Sequence, residues 1–262
     1  MTTSMKFVIG NWKMKLDDSA SAALAEDVKR LVGAWIGETD VRVVVCPSYL
    51  ALGSVSRALS GSSVAFGGQN VFWEDEGAYT GEISPVELSA LGCGYCIVGH
   101  SERRKHLGET DEMVNKKVKS LLGHGLVPIV CVGETKDERQ SGRRDAVVIG
   151  QVKAALEGVE LGSGGKVIVA YEPRWVIGTG KAVDPGDAEE MHRLIRTAVN
   201  EMLGEDALRD GRCFVLYGGS VDSSNIRGFL EVPVIDGVLV GGASLKSDEF
   251  QAMVSVAAGR DR

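Results

Sequence analysis

Long apolar runs are missing from this chain of 262 residues. No stretch approaches the roughly 18 consecutive apolar residues that a membrane-spanning helix needs. The apolar run near the N-terminus, residues 7–9, is also far too short for the core of a secretory signal peptide. The sequence therefore predicts a cytoplasmic protein without a membrane span.

An excess of positive charge is missing as well. The formal net charge is -7, and Lys and Arg are interspersed among Asp and Glu, so no basic patch for nucleic acid is expected. No composition shift marks a linker, and 44% hydrophobic residues supply one large core. Single α/β barrels commonly contain about 250 residues. We expect residues 1–262 to form one domain.

The cysteines form no framework for disulfides or metal. There are five of them, an odd number, and four fall inside predicted strands. Cys93 and Cys96 make a C-x-x-C pair, but no second Cys or His pair stands near to complete a zinc site. The sequence predicts small buried thiols in a reducing compartment, and no metal.

What the sequence does contain is a series of short runs rich in Val, Ile, Leu and Cys. Their starts are about 33 residues apart on average, the length of one strand, one helix and two loops. Nearly continuous apolar runs are typical of parallel strands covered on both faces. We predict an α/β fold, a (βα)8 barrel, with strands at 7–10, 42–46, 64–67, 95–98, 127–132, 167–171, 213–217 and 237–240.

Polar residues and glycine pairs follow several of these runs. In a barrel of this kind, functional groups gather at the C-terminal ends of the strands. Lys13 follows the first run, His100 the fourth and Glu172 the sixth, while the pairs Gly218-Gly219 and Gly241-Gly242 follow the last two. Each has a plainer interpretation: a surface lysine, a core histidine, tight turns. The two glycine pairs together favour a small phosphorylated ligand, because glycine lets backbone N–H groups approach an anion.

The sixth run passes from Glu172 directly into a proline and a glycine-rich segment. Such a segment can close over the acid and remove water from it, a setting suited to an acid that takes a proton from carbon. A helix N-cap followed by a flexible loop is the alternative. The predicted lid consists of Pro173, Arg174, Trp175, Val176, Ile177, Gly178, Thr179, Gly180 and Lys181.

Six segments resemble the motifs of the triosephosphate isomerase family, in the family's order and across essentially the whole chain. They lie at 10–14, 99–104, 170–173, 177–181, 216–221 and 236–243. The resemblance implies an intramolecular aldose–ketose isomerase that interconverts dihydroxyacetone phosphate and D-glyceraldehyde 3-phosphate and needs no metal or organic cofactor.

The resemblance also implies roles for individual residues. Glu172 is the base that moves a proton between neighbouring carbons, and neutral His100 polarises the carbonyl and moves protons between the oxygens of an enediolate. Lys13 supplies positive charge, aided by Asn11. Glu102 resembles an acidic residue that lies just behind the active site in members of the family.

A second group of residues is assigned to the phosphate of the substrate. By the same resemblance, Gly178 in the lid, Ser220, Gly241 and Gly242 hold that phosphate through backbone N–H groups and one hydroxyl.

The long connection after the third run, residues 69–84, exceeds what a barrel needs. Its part at 77–84, with Tyr79, Thr80 and Gly81, resembles the family's loop that enters a neighbouring subunit and braces Asn11 and Lys13. A homodimer is implied, and a mobile surface loop is the alternative.

Two lid residues depart from the family's pattern. Arg174 stands where the family usually carries a small aliphatic residue, and Val176 replaces a usual alanine. Three roles are open for Arg174: it could anchor the lid to an acidic residue, shift the populations of the open and closed lid, or admit a slightly different sugar phosphate as substrate. The last possibility makes an isomerase of a four-carbon ketose phosphate an alternative function. Two further alternatives are a Schiff-base aldolase, which would use Lys13 at the rim of a phosphate-binding barrel, and a non-catalytic phosphate-binding relative.

Overall fold

The computed structural model describes residues 5–176 and 182–260, and eight strands in it close into one parallel barrel in chain order. This confirms the predicted (βα)8 TIM barrel of a single domain. Five strands have the predicted bounds, and the first three differ by a residue or so. The strands are β1 Lys6–Asn11, β2 Val41–Cys46, β3 Ala65–Gly68, β4 Tyr95–Val98, β5 Val127–Val132, β6 Val167–Tyr171, β7 Cys213–Tyr217 and β8 Gly237–Val240.

Helices alternate with the strands and cover the outside of the barrel. Among the described residues they are α1 Asp18–Val28, α2 Leu52–Ala58, α3 Pro85–Ala90, α4 Ser101–Leu107, α5 Asp111–Gly123, α6 Lys136–Gln140, α7 Arg144–Leu156, α8 Pro185–Leu203, α9 Asp206–Arg209, α10 Ile226–Leu230 and α11 Ser247–Ala257.

The core has two layers because successive strand residues point to opposite faces. Phe7 and Ile9 of β1 point into the barrel and pack with residues of the other strands. Val8, between them, points outward and packs under the helices. Both faces are therefore buried, which explains the nearly continuous apolar runs.

Two local features that position the site follow from the sequence. Asp184 caps α8 by accepting a hydrogen bond from the Gly186 N–H at 2.8 Å, and Pro185 occupies the first helical position. The connection 69–84 ends at Ser84, whose capping box with Glu87 starts α3. Its length is as predicted.

The cysteines behave as expected. All five are buried and free, and burial raises the pKa of each thiol. Within 5–176 and 182–260, no group of three or more His, Cys, Asp and Glu side chains is placed to hold a metal ion. None of the helices described is both long enough and apolar enough to cross a membrane.

Candidate active site

A cavity of about 290 Å³ lies at the C-terminal ends of the strands. It brings together nine of the residues that the sequence singled out. These are Asn11, Lys13, His100, Glu172, Gly218, Gly219, Ser220, Gly241 and Gly242. Gly178 lies outside the described residues. The side chains at 13, 100 and 172 thus open into one cavity, as the predicted arrangement requires.

Glu172 and His100 face each other across this cavity. Glu172 directly follows β6, and its backbone N–H donates to Val132 O at 2.7 Å, which fixes it to the neighbouring strand end. His100 Nε2 lies 3.2 Å from Glu172 Oε1, and the Ser101 N–H donates to Oε2 at 3.3 Å. The two residues are only 3% and 5% exposed. A proton can therefore pass between this pair and a bound molecule with little water present.

The two side chains shift each other's pKa. Burial alone would raise the pKa of Glu172, but the positive field of His100, the Ser101 N–H and Lys13 together lower it. Burial alone would lower the pKa of His100, but the charge and hydrogen bond of Glu172 raise it. Glu172 is therefore ionised near neutral pH and can accept a proton.

The second nitrogen of His100 faces a helix start. His100 is the N-cap of α4, and its Nδ1 accepts a hydrogen bond from the Glu102 N–H at 3.2 Å. An imidazolium has no lone pair with which to accept this bond. The bond therefore favours the neutral tautomer with its proton on Nε2, opposing the influence of Glu172.

Lys13 follows β1 and brings positive charge to the opposite wall. Its φ is 52°, a left-handed backbone unusual outside glycine. Asn11 Oδ1 accepts from the Lys13 N–H at 3.0 Å, and Gln69 Nε2 donates to Lys13 O at 2.8 Å. Lys13 Nζ pairs with Glu102 Oε1 at 2.6 Å, which places Glu102 directly behind the cavity. This strained turn is held from three sides.

Glycine is required where β7 ends. A Cβ on Gly218 would lie 2.8 Å from Glu172 Cγ, and a Cβ on Gly219 would lie 2.0 Å from the Tyr217 hydroxyl oxygen. Any larger residue would displace the carboxylate or the tyrosine. Gly241 and Gly242 line the cavity where a 3-10 turn, Gly242–Leu245, begins. The first N–H groups of such a turn have no partner within it.

The described part of the predicted lid is its first hinge, Pro173 to Val176; Ile177, Gly178, Thr179, Gly180 and Lys181 lie outside the described residues. Ser220 Oγ donates to Val176 O at 3.1 Å. On the far side, the Val183 N–H donates to the Tyr217 hydroxyl at 3.2 Å. Both ends of the lid are therefore tied to the end of β7 and the residues just beyond it.

Sequence reasoning missed Glu134. It follows β5, is completely buried, and accepts hydrogen bonds from Trp175 Nε1 at 2.8 Å and from the Tyr171 hydroxyl at 3.2 Å. The Arg174 N–H donates to its backbone carbonyl at 3.0 Å. The strand-end rule that selected Glu172, applied to the fifth run, would have found it.

A buried ionic group supports the site from behind and was also missed. Glu109 pairs with Lys117, whose ammonium also donates to Asn70 Oδ1 at 2.7 Å, and with Arg103 Nε at 3.3 Å. All but Arg103 are under 6% exposed. Because Arg103 lies on α4, these contacts fix the helix that presents His100 and Glu102.

A closed barrel with a buried carboxylate and imidazole in a strand-end cavity defines a class of protein, the (βα)8-barrel enzymes that work by proton transfer. A model of the triosephosphate isomerase family matches residues 6–257. The chain belongs to the triosephosphate isomerase family.

Individual relatives match over nearly their whole length. The chain is 47% identical over 248 residues to the triosephosphate isomerase of Caldanaerobacter subterraneus subsp. tengcongensis, which covers 95% of this chain and 98% of that protein. It is 47% identical over 245 residues to that of Roseiflexus castenholzii, with 94% of each chain covered. The triosephosphate isomerase of Pelobacter propionicus is 45% identical over 251 residues, covering 95% and 97%.

Proposed function

We propose that this cavity interconverts dihydroxyacetone phosphate and D-glyceraldehyde 3-phosphate. This is triosephosphate isomerase activity, an intramolecular aldose–ketose isomerisation (EC 5.3.1.1) and a step of glycolysis. The observation that carries the proposal is the Glu172 and His100 pair, 3.2 Å apart in a cavity shared with Lys13, in a chain of this family.

In the mechanism, Glu172 takes a proton from the carbon beside the carbonyl and becomes a carboxylic acid. The released electron pair forms the carbon–carbon double bond of an enediolate, while His100 donates its Nε2 proton to the carbonyl oxygen. His100 then recovers a proton from the neighbouring hydroxyl, and Glu172 returns its proton to the neighbouring carbon. No atom is gained or lost, and Lys13 stabilises the negative charge throughout.

The phosphate of the substrate is assigned to Ser220, Gly241 and Gly242, with Gly178 closing from the lid. The first N–H groups of the turn after β8 have no partner within that turn, and such groups suit an anion, which supports this assignment. Holding the phosphate and excluding water protects the enediolate, which otherwise eliminates phosphate.

The ion pair of Lys13 with Glu102 argues against a Schiff-base aldolase. A nucleophilic lysine must be an uncharged amine, whereas this ammonium is held by a carboxylate at 2.6 Å. Borohydride should therefore trap no substrate on Lys13.

The test is a coupled assay with a substrate panel. We expect turnover of D-glyceraldehyde 3-phosphate with kcat/KM at least about tenfold above that for four-carbon ketose phosphates, because an extra hydroxymethyl group must fit a small cavity. Pure folded protein that turns over no triose phosphate would refute the proposal, and a preference for four carbons would favour the alternative isomerase.

The assembly proposed is a homodimer in which Tyr79, Thr80 and Gly81 insert beside Asn11 and Lys13 of a second copy. Large apolar side chains that stand in water support it: Tyr79 is 45% exposed, and Met14, directly after Lys13, is 93% exposed.

Sedimentation velocity tests this assembly. We expect a dimer for the unmodified chain and a monomer of reduced activity for Met14→Asp, because the added charge would be buried at the interface. A chain that sediments as a monomer without any substitution would contradict the proposal. In the proposed dimer, residues 1–262 of each subunit act as one domain, and the protein is cytoplasmic.

A further inference from the structure

A second cleft, of about 540 Å³, opens beside the catalytic cavity. It lies between α4, α6 and the first lid residues, and shares no lining residue with the catalytic cavity. Four basic side chains line it: Lys105, His106, Lys136 and Arg174. We call this the basic cleft. Its charge is unexpected in a chain with a net charge of -7.

The cations of the basic cleft are not held in ion pairs within the described part of the chain. None of the four makes an ion pair there, although most Arg side chains elsewhere do. One carboxylate, Glu102, also lines the cleft, but it pairs with Lys13 at 2.6 Å. Glu138, on α6, is oriented by the Thr135 N–H and hydroxyl, from which it accepts at 2.7 and 2.8 Å. The fixed positive charges of Lys105, Lys136 and Arg174 outnumber the one carboxylate of the lining, and a bound anion would relieve the remaining repulsion.

The field of Arg174 extends into the same region. The pKa of Glu138 is lowered: burial opposes this, whereas the Thr135 hydrogen bonds and then the charge of Arg174 favour it. The positive charge of Arg174 therefore stabilises the Glu138 carboxylate in the first turn of α6, beside the cleft. Arg174 is one of the two residues by which the lid departs from the family pattern, and the cleft suggests a role for it.

We propose that the basic cleft binds a compact polyanion of the diphosphate or bisphosphate class. Two lysines and one arginine supply three fixed positive charges, which match the roughly three negative charges of a diphosphate near neutral pH. The arginine fork can grip two phosphate oxygens at once, and the Thr135 side chain adds a hydroxyl to the lining.

The position of the cleft couples this anion to the lid. Arg174 and Trp175 are both lining residues and lid residues, and both are tied to Glu134, by the Arg174 N–H at 3.0 Å and by Trp175 Nε1 at 2.8 Å. An anion that holds the Arg174 side chain restrains the first hinge. It therefore lowers kcat, whereas an anion in the catalytic cavity would only compete with substrate.

The binding test uses inorganic diphosphate and isothermal titration calorimetry. The catalytic cavity is first saturated with phosphoglycolate, a small phosphate analogue, so that diphosphate reports on another site. We expect one diphosphate per chain, with inorganic phosphate binding at least about tenfold more weakly because it carries fewer charges. Affinity should fall as salt is raised.

Variants assign the site. Lys105→Gln, Lys136→Gln and Arg174→Gln should each weaken diphosphate binding about threefold to tenfold. The matched control is Lys119→Gln, an exposed lysine that lines a separate cleft formed by the residues before β5 and β6, and it should bind as the unmodified chain does. Loss of diphosphate binding when phosphoglycolate is present, or equal affinity in all four variants, would overturn the proposal.

Kinetics separates this proposal from the isomerase activity. Saturating diphosphate should lower kcat about twofold to fivefold in the unmodified chain. Lys136→Gln should raise the diphosphate concentration that gives half of this effect about threefold to tenfold while keeping basal triose phosphate turnover. Purely competitive inhibition in both proteins would contradict a site at the hinge. Absence of basal turnover would instead reject the proposed function and leave the binding result standing.

Discussion

Two neighbouring strands of the barrel end in buried glutamates with different surroundings. Glu134 follows β5 and is held by the Trp175 indole and the Tyr171 hydroxyl. Glu172 follows β6 and has one backbone N–H on one oxygen and the His100 imidazole on the other. Only Glu172 lines the catalytic cavity.

The difference teaches that burial does not make a base. Both side chains are nearly inaccessible, Glu134 0% and Glu172 3% exposed, so a difference in solvent exposure cannot explain their different roles. What differs is the partner. Glu134 is bound to the Trp175 indole of the hinge and to the Tyr171 hydroxyl at the end of β6, whereas Glu172 faces an imidazole and open volume where a substrate carbon can lie. We therefore interpret Glu134 as a residue that positions the hinge, and Glu172 as the proton acceptor.

The largest expected effect comes from Glu172→Gln. The amide keeps the shape and the bond from Ser101 but cannot take a proton from carbon, so kcat should fall about 10²–10⁴-fold. Affinity for phosphoglycolate should change less than about threefold, because the phosphate contacts lie elsewhere. Stopped-flow kinetics and titration calorimetry measure the two quantities. Equal losses in both would contradict the assigned role.

His100→Gln is expected to have the next largest effect. Glutamine can still donate toward the carbonyl but cannot exchange protons between two oxygens, so kcat should fall about a hundredfold. In the unmodified chain, nitrogen NMR of the imidazole should show the neutral tautomer with its proton on Nε2 when phosphoglycolate is bound. An imidazolium in that complex would refute the neutral role and leave the placement of His100 unexplained.

Lys13, His100 and Glu172 were predictable because the same simple rule applies to each of the eight strands. Strands β4 to β8 could be bounded to the residue, since a covered parallel strand is apolar on both faces and polar residues mark its end. Once eight such ends are arranged in a ring, Lys13, His100 and Glu172 must share one rim. The choice among plainer interpretations still depended on the family resemblance.

The contacts that support the site were not predictable in this way, although the position of Glu134 after the fifth run was. Lys117 lies on an amphipathic helix, where a lysine is expected to face solvent, yet it is only 3% exposed. The sequence does not reveal this, because its partner Asn70 is 47 residues away along the chain. Glu134 likewise meets Trp175 only through tertiary packing, 41 residues apart. A sequence marks where strands end, but pairing between distant polar groups depends on how the elements dock.

A buried histidine on α8, outside the catalytic cavity, should make stability depend on pH. His192 is fully buried beside the Tyr171 ring, its Nδ1 is 2.7 Å from Ala188 O, and burial lowers its pKa to about 4. Below about pH 6.5 the unfolded chain takes up a proton that the folded chain refuses, so stability falls as pH falls.

The size of this effect follows from the linkage. Between about pH 7 and about pH 5, roughly one and a half pH units at about 1.4 kcal/mol each give a loss of about 2 kcal/mol from this residue. Urea denaturation at both values should show His192→Gln losing less stability than the unmodified chain by that amount. His106→Gln is the control, because this exposed histidine should not alter the difference. Parallel losses in all three proteins would contradict a neutral buried His192.

The smallest effect is expected from Glu134→Gln, and it sharpens the comparison of the two strand ends. The same substitution is made one strand away, in a side chain that is buried even more completely. A glutamine oxygen still accepts from the Trp175 indole, but the charge that strengthens this bond is lost, so the free energy of unfolding should drop by about 1 kcal/mol. The hinge remains attached, and kcat should fall about threefold. Tryptophan fluorescence reports the contact, and the coupled assay reports turnover. If Glu134→Gln lost as much activity as Glu172→Gln, the carboxylate after β5 would take part in the proton transfer, and the distinction drawn from the surroundings of the two glutamates would be wrong.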